Sequence, residues 1–361
     1  MKKILTVIIV IIVLIIASIT ILNKTTETTI EIGGLFPLTG GLAVYGEAAQ
    51  KSAELAIKEL NANGERFSIN YQDHQCNPTT ALAIFKQLSE LDKIDYFTTT
   101  ACSGTVLSIA PNLNDEILIG NIVTTPKITN VSENVFRNWA SDAKEAELFA
   151  DFIKEKGYQK VGIVYEQTDY AEGLKISLES FLPKMEITSE GFDSNTKDIR
   201  TQLIKLKDTE VIFISPQTES AGDLILKQLT ELNITSDLIV NDNIIKSLKL
   251  VEEHSKVLEG CIGGDFIIES NTENEAFLKK YEETYGEECP QDNICFAVYD
   301  SVYLIAKAIE KSDNDIEKAK EYLQTTTYDG ISGKISFDKN NDRANTEYTL
   351  LTVKNGSVVN I

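Results

Sequence analysis

Regular alternation of short apolar runs with amphipathic helical stretches limits what this chain can fold into more than any other feature. Residues 67–71, 96–100 and 117–122 read as strands, with helical spacing over 78–91 and 104–114 between them. After Arg137-Asn138-Trp139 the pattern restarts: helix 144–156, strand 161–165, helix 170–181, a strand from Ile187, helix 198–207, strand 211–215, helix 220–232 and strand 238–240. Such alternation predicts an α/β fold of parallel sheets covered by helices on both faces. The later region reads as a strand at 260–267, helices at 273–285, 297–311 and 316–325, and terminal strands at 334–337 and 348–353. No period of 20–50 residues recurs, which excludes a solenoid. Some 335 residues beyond the amino-terminal segment exceed one hydrophobic core and predict two similar lobes with chain crossings between them.

Within this pattern the segment 32–64, IGGLFPLTGGLAVYGEAAQKSAELAIKELNANG, carries the most information. Ile30, Ile32, Leu35 and Phe36 predict a buried strand, and Pro37, Gly40, Gly41 and Gly46 punctuate a loop. A helix follows from Ala48 to Leu60. A loop at the carboxyl end of a parallel strand, running into a helix, is where open α/β sheets place ligands.

At the amino terminus two lysines precede nineteen uncharged residues, Ile4 to Leu22. At 1.5 Å per residue they would reach roughly 28 Å, enough to cross a bilayer core. The lysines predict a cytoplasmic amino terminus and an exported body, with 1–22 as a transmembrane anchor. A cleaved signal peptide is the alternative, since Ala17 and Ser18 lie near the segment's end. No cysteine lies near its end, which removes lipid anchoring through an N-terminal cysteine. Residues 23–29, NKTTETT, read as a polar linker.

The formal charge of −21 argues against nucleic acid and anionic lipid as partners. The 42% hydrophobic content fits a compact body. In an exported protein the five cysteines default to pairing, and their odd number leaves at least one free. With two histidines far apart, and no Cys-x-x-Cys, neither a metal site nor another cofactor is expected. Neither a phosphate loop nor a Ser-His-Asp set assembles, so the chain does not read as an enzyme.

Ala101-Cys102-Ser103-Gly104-Thr105 follows a predicted buried strand and opens a helix. Its free amides and the positive end of the helix dipole suit a carboxylate, with hydroxyls from Ser103 and Thr105 and close approach at Gly104. A plain helix cap by Ser103 is the alternative. Asp242, just past a predicted strand of the second lobe, suits a ligand ammonium; an Asx turn or helix cap is its alternative. Tyr45 and Tyr170 lie in loops between strand and helix, where they either pack on a ligand or join the core.

Together these positions resemble the exported substrate-binding proteins of branched-chain amino acid ABC transporters, the leucine/isoleucine/valine-binding branch of the type I periplasmic binding proteins. The resemblance covers about residues 30–360. It rests on PLTGGLAVYGEAAQKSAELAIKELNANG, Asp73-His74-Gln75-Cys76-Asn77-Pro78, ACSGT, Val123-Thr124-Thr125-Pro126, Asp169-Tyr170-Ala171-Glu172-Gly173, Tyr299-Asp300-Ser301-Val302 and 330–338. It implies two Rossmann-like lobes, 30–142 with 268–342 and 143–267 with 343–361, joined by a three-crossing hinge and closing on an amino acid. By resemblance, Ser103 and the amides of Ser103 to Thr105 hold the α-carboxylate. Thr124 and the carbonyl of Ile122 or Val123 accept the α-ammonium, and Asp242 supplies its countercharge. Tyr45 and Tyr170 match positions flanking the ligand, and Cys76 and Cys102 match the family's paired cysteines. Gln217 stands where leucine binders often place a tyrosine, and Phe296 lies near another pocket aromatic. Cys289 and Cys295 are candidates for a second bridge, with two free thiols as the alternative, and Cys261 reads as buried and inert. The resemblance implies delivery of an amino acid to an ABC permease. A ligand-sensing ectodomain acting through a separate partner is the alternative, disfavoured because no output domain follows in the chain.

Overall fold

The computed structural model describes residues 29–361; the anchor predicted at 1–22 and nearly all of the linker predicted at 23–29 lie outside them. Among the described residues no helix is long and apolar enough to cross a membrane.

Two separate sheets organise the chain. The first has the order β2-β1-β3-β4-β5 and is parallel throughout, with β1 at Ile30–Phe36, β2 at Phe67–Asp73, β3 at Tyr96–Thr100, β4 at Ile117–Asn121 and β5 at Val135–Arg137. Its connecting helices are α1 (Ala43–Leu60), α2 (Pro78–Lys86) and α3 (Ser103–Ile109). The second sheet is mixed. Its parallel part runs through β6 (Lys160–Glu166), β7 (Glu186–Phe192), β8 (Val211–Ser215), β9 (Asp237–Val240) and β10 (Ile262–Phe266). Between these strands lie α4 (Asp142–Lys156), which precedes β6, then α5 (Asp169–Phe181), α6 (Arg200–Leu206), α7 (Glu219–Glu231) and the short α8 (Asp242–Ile245).

After β10 the chain returns to the first sheet as α9 (Thr272–Tyr285), α10 (Asp292–Ser312) and α11 (Ile316–Thr325). The antiparallel hairpin β11 (Tyr328–Gly330) and β12 (Gly333–Ile335) follows. The chain then rejoins the second sheet as β13 (Tyr348–Lys354), antiparallel to β10, and β14 (Ser357–Asn360). It therefore passes between the sheets three times: after β5, after β10 and before β13. Two passages run side by side, with Arg137 N–H donating to Asn341 O at 2.9 Å and Arg343 N–H to Arg137 O at 3.0 Å.

Strand periodicity sorts the core. In β8, Val211 and Phe213 pack with α4 and α5 on one face, while Ile212 and Ile214 meet α6 and α7 on the other. The first sheet does the same, with Ile117 and Ile119 under α10 and α11, and Leu118 and Phe97 under α2 and α3.

Boundaries differ from the sequence reading in instructive ways. α1 starts at Ala43, so Gly46 is helical rather than a loop residue; a Cβ there would fall 2.1 Å from the Pro37 carbonyl oxygen. The strand predicted at 334–337 is a short outlying hairpin instead of part of a large sheet. α10 begins five residues before the helix predicted at 297.

Candidate ligand-binding cleft

The carboxyl ends of β1, β3 and β4 face those of β6, β8 and β9 across a narrow cavity. Tyr45, Ile122, Thr124, Tyr170, Gln217 and Asp242, all singled out from sequence, line it together. Leu42, Ala101, Asn243, Gln291 and Ile294 line it as well, though sequence reasoning assigned none of them a ligand contact.

On the first-sheet side the backbone shapes the wall. Ala101 (φ 64°) and Ile122 (φ 51°), each following a strand, occupy the left-handed region. For a β-branched residue this conformation is strained by about 1–2 kcal/mol. The sheet enforces it: Ala101 N–H donates to Asn121 O at 3.1 Å, and Thr100 Oγ1 donates to the same oxygen at 3.1 Å. The bend turns the chain ends toward the cavity. Cys102, not Ser103, occupies the cap position of α3 and provides no side-chain cap. Ser103 Oγ instead accepts from Thr125 N–H at 3.4 Å, joining the two turns. Thr105 N–H donates to Cys102 O at 3.1 Å, while the Ser103 and Gly104 amides keep the free donors of a helix start. Ser103, Thr105 and Val123 are buried just behind the cavity surface, and Gly104 lines the adjoining outer part of the cleft beside Asp169.

The neighbouring loop is tied by a Cys76–Cys102 disulfide with Cα atoms 5.5 Å apart. Buried His74 supports it, with Nδ1 accepting from Cys76 N–H at 3.0 Å. Burial pushes the His74 ring down to about 4, so it stays neutral and can accept. Cys289 and Cys295 form a second disulfide, and Cys261 is free and buried.

Side chains build the second-sheet side. Tyr170, in the first turn of α5, donates through its hydroxyl to Asp242 Oδ1 at 2.8 Å and accepts from Asn241 Nδ2 at 3.0 Å. Asn241 Nδ2 also donates to Pro216 O at 2.7 Å. Asp242 is therefore aimed by a side-chain network rather than spent on a cap: Asn241 holds the cap position of α8, without a side-chain capping bond. Burial, then the Asp242 charge, raises the Tyr170 hydroxyl well above its ordinary range, keeping it a donor. Burial and the charges of Asp242 and Glu219 push Tyr45 up to about 12. The Gln217 loop is fixed by Glu166, whose Oε2 accepts from Gln217 N–H at 2.8 Å and Thr218 N–H at 3.1 Å. The Gln217 amide makes only long contacts, 3.5 Å to Ala101 O and 3.6 Å to Cys76 Sγ.

Phe296 does not reach the cavity. It packs against Phe277, ring centroids 5.8 Å apart, in the core between α1, α9 and α10. Two residues along a helix turn the side chain by about 200°, so Ile294 faces the cavity in its place.

The walls also touch. Lys127 reaches Asp169 and Glu172 of α5 at 3.7 and 3.2 Å. Gly173 packs so closely on the first half that a Cβ would stand 1.9 Å from Thr125 Oγ1. Behind Thr124 lie two buried acids that sequence reasoning did not single out, Asp142 and Glu145. Away from the cleft, Asp223, Glu253 and His254 bring three ligand-type atoms within 4.8 Å of one another, and His254 Nε2 lies 2.7 Å from Asp223 Oδ1.

Comparison with known proteins agrees with this architecture. The family described as Periplasmic binding protein matches residues 29–357. A leucine-, isoleucine-, valine-, threonine- and alanine-binding protein of Pseudomonas aeruginosa is 24% identical over 337 residues, 89% of each chain. Among solved structures, a leucine-binding protein of Thermotoga maritima superposes with a TM-score of 0.81 at 24% identity, covering 92% of this chain and 98% of its own. An ABC-transporter solute-binding protein of R. palustris in complex with benzoate gives 0.77 at 18% identity, covering 92% and 95%. With nearly all of its described length matched, the chain belongs to the periplasmic binding protein family.

Proposed function

We propose that this protein is the extracytoplasmic substrate-binding component of an ABC importer, taking up an α-amino acid of the branched-chain class or similar between two closing lobes. The lobes are 30–142 with 268–342 and 143–267 with 343–361. One observation carries the reading: an acid aimed by Tyr170 and Asn241 faces, across one cavity, a bend with helix-start amides behind it. A zwitterion has the matching ends. Its carboxylate meets Ser103 and the amides of Ser103 to Thr105. Its ammonium meets Asp242, Thr124 and the Ile122 carbonyl. A desolvated ammonium without a counter-ion is costly, so retention of Asp242 favours an amino acid over a simple acid. Tyr45 and Tyr170 flank the ligand, and Gln217, Gln291, Leu42 and Ile294 shape the side-chain end.

Contacts to both walls stabilise the closed form, and a ligand shifts the equilibrium only by its preference for that form. Delivery to a permease and export of the body follow from the family resemblance. A thermal-shift screen of the twenty amino acids tests the reading. At least one should raise the unfolding midpoint in a concentration-dependent way; no shift with any of them overturns the amino-acid assignment.

A further inference from the structure

Asp142 and Glu145 occupy the first turn of α4, behind the cleft wall, and no proposed ligand contact uses them. Their exposures are 2% and 1%. Asp142 braces a cavity-lining residue twice: its N–H donates to Thr124 O at 2.9 Å, and Thr124 Oγ1 donates to Asp142 Oδ2 at 2.8 Å. Glu145 lies over β10, where Gly264 leaves room; a Cβ there would stand 3.1 Å from Glu145 Oε1. That oxygen is buried and has no hydrogen-bond partner.

Charged and titratable groups face this pair from every side. Asp242 approaches from α8, Asp265 from β10, Arg137 from β5 and Lys246 from the end of α8. Tyr170 of α5 and Tyr348 of β13 are both kept protonated by burial and these acids. On their own helix, Lys144 is turned away to Thr346 O at 2.9 Å. The two nearby cations are already engaged, Lys246 with Asp265 at 2.9 Å and Arg137 with Asp342. Four carboxyls therefore crowd a site whose cations are spoken for. A buried carboxyl without a counter-ion keeps its proton.

We propose that the Asp142–Glu145 pair holds a proton while the cleft is empty and releases it to solvent when a ligand ammonium enters beside Asp242. The inference rests on the amino-acid reading above. The step balances: the ligand enters as its zwitterion with N–H bonds intact, one carboxyl O–H bond breaks, and the departing proton offsets the arriving ammonium charge. Burial, then the Asp242 charge, pushes Asp142 up to about 8, and Glu145 is raised well above the carboxylate range. A nearby ammonium lowers both, so the association constant rises with pH until the empty form has itself lost the proton.

The test is calorimetric titration of the protein at pH 7 in two buffers of different ionisation enthalpy. The probe is L-leucine, or, if it does not bind, the amino acid giving the largest thermal shift. The buffer difference should correspond to a substantial fraction of, up to about, one proton released per ligand, and Glu145→Gln or Asp142→Asn should reduce it. Identical enthalpies in both buffers overturn the inference while leaving the amino-acid reading intact, as does release unchanged in both variants. Failure of every amino acid to bind removes that reading and this inference with it. If neither variant folds, the pH dependence of wild-type affinity from 6 to 8 decides, a flat profile being the contradicting result.

Discussion

From the first sheet much of what faces the cavity is backbone: two residues held at positive φ, Ala101 and Ile122, beside the uncapped start of α3, which the Cys76–Cys102 bridge ties down. From the second sheet side chains face it, Tyr170, Asp242, Asn243 and Gln217, held by a hydrogen bond from Asn241 to Tyr170 and by Glu166 accepting from the Gln217 backbone. A wall of amides and carbonyls suits what all α-amino acids share and is insensitive to most substitutions. A wall of side chains places charge and shape, and a single substitution can change it. On our reading the first wall joins a rigid main-chain receptor to the side chains of Leu42, Tyr45, Gln291 and Ile294, and the second carries the countercharge and Gln217.

Substitutions can break that contrast, beginning with the largest effect. Asp242→Ala should weaken amino-acid binding about 100-fold or more by calorimetry, because an ammonium would be buried without its partner; unchanged affinity would remove Asp242 from the site. On the rigid wall, replacing Cys76 and Cys102 by serine opens a 26-residue link and should lower unfolding free energy by about 3.5 kcal/mol on the chain-entropy account. The Cys289–Cys295 link spans only six residues, so its loss should remove about 2 kcal/mol in the same denaturant titration. Equal losses would contradict the loop-length argument.

Gly173→Ala probes the contact between the walls. Its Cβ would collide with Thr125, so affinity should fall roughly tenfold, while the ligand-free protein keeps or gains up to about 1 kcal/mol from helix propensity. A parallel loss of both would make Gly173 a packing residue of one wall only. The smallest effect concerns pH. With the folded Asp142 carboxyl raised to about 8, above the unfolded value near 3.9, the folded state binds more protons between the two. Ligand-free stability should therefore decline as pH rises from 6 through 8, and Asp142→Asn should flatten the slope of melting temperature against pH.

Much of the frame was legible because period-two and helical spacing are local properties. The parallel strands and their helices fall near where the apolar runs put them. What sequence reasoning lost was set at a distance. β5 has three residues, too few for periodicity, and exists because it pairs with β4. Short helix α8 follows a strand too closely for a repeat to show. The reversed direction of β13 depends on where the third crossing returns the chain.

The cleft divides in the same way. Tyr45, Tyr170, Gln217 and Asp242 could be singled out because side chains are written in the sequence. The positive φ of Ala101 and Ile122 is not, since neither is glycine and only the pairing of β3 and β4 forces it. Asp142 and Glu145 carry the signature of any acidic first helical turn; Tyr348, two hundred residues on, helps bury them. Ile294 and Phe296 exchange roles through helix phase, which an uncertain helix start hides.

The most direct test of the account compares one ligand with and without its ammonium. The amino acid giving the largest thermal shift and its des-amino analogue, which keeps the carboxylate and side chain, would be titrated calorimetrically under the same conditions. The account predicts an amino-acid affinity about 100-fold or more above that of the analogue. Equal or tighter binding of the des-amino acid would contradict it.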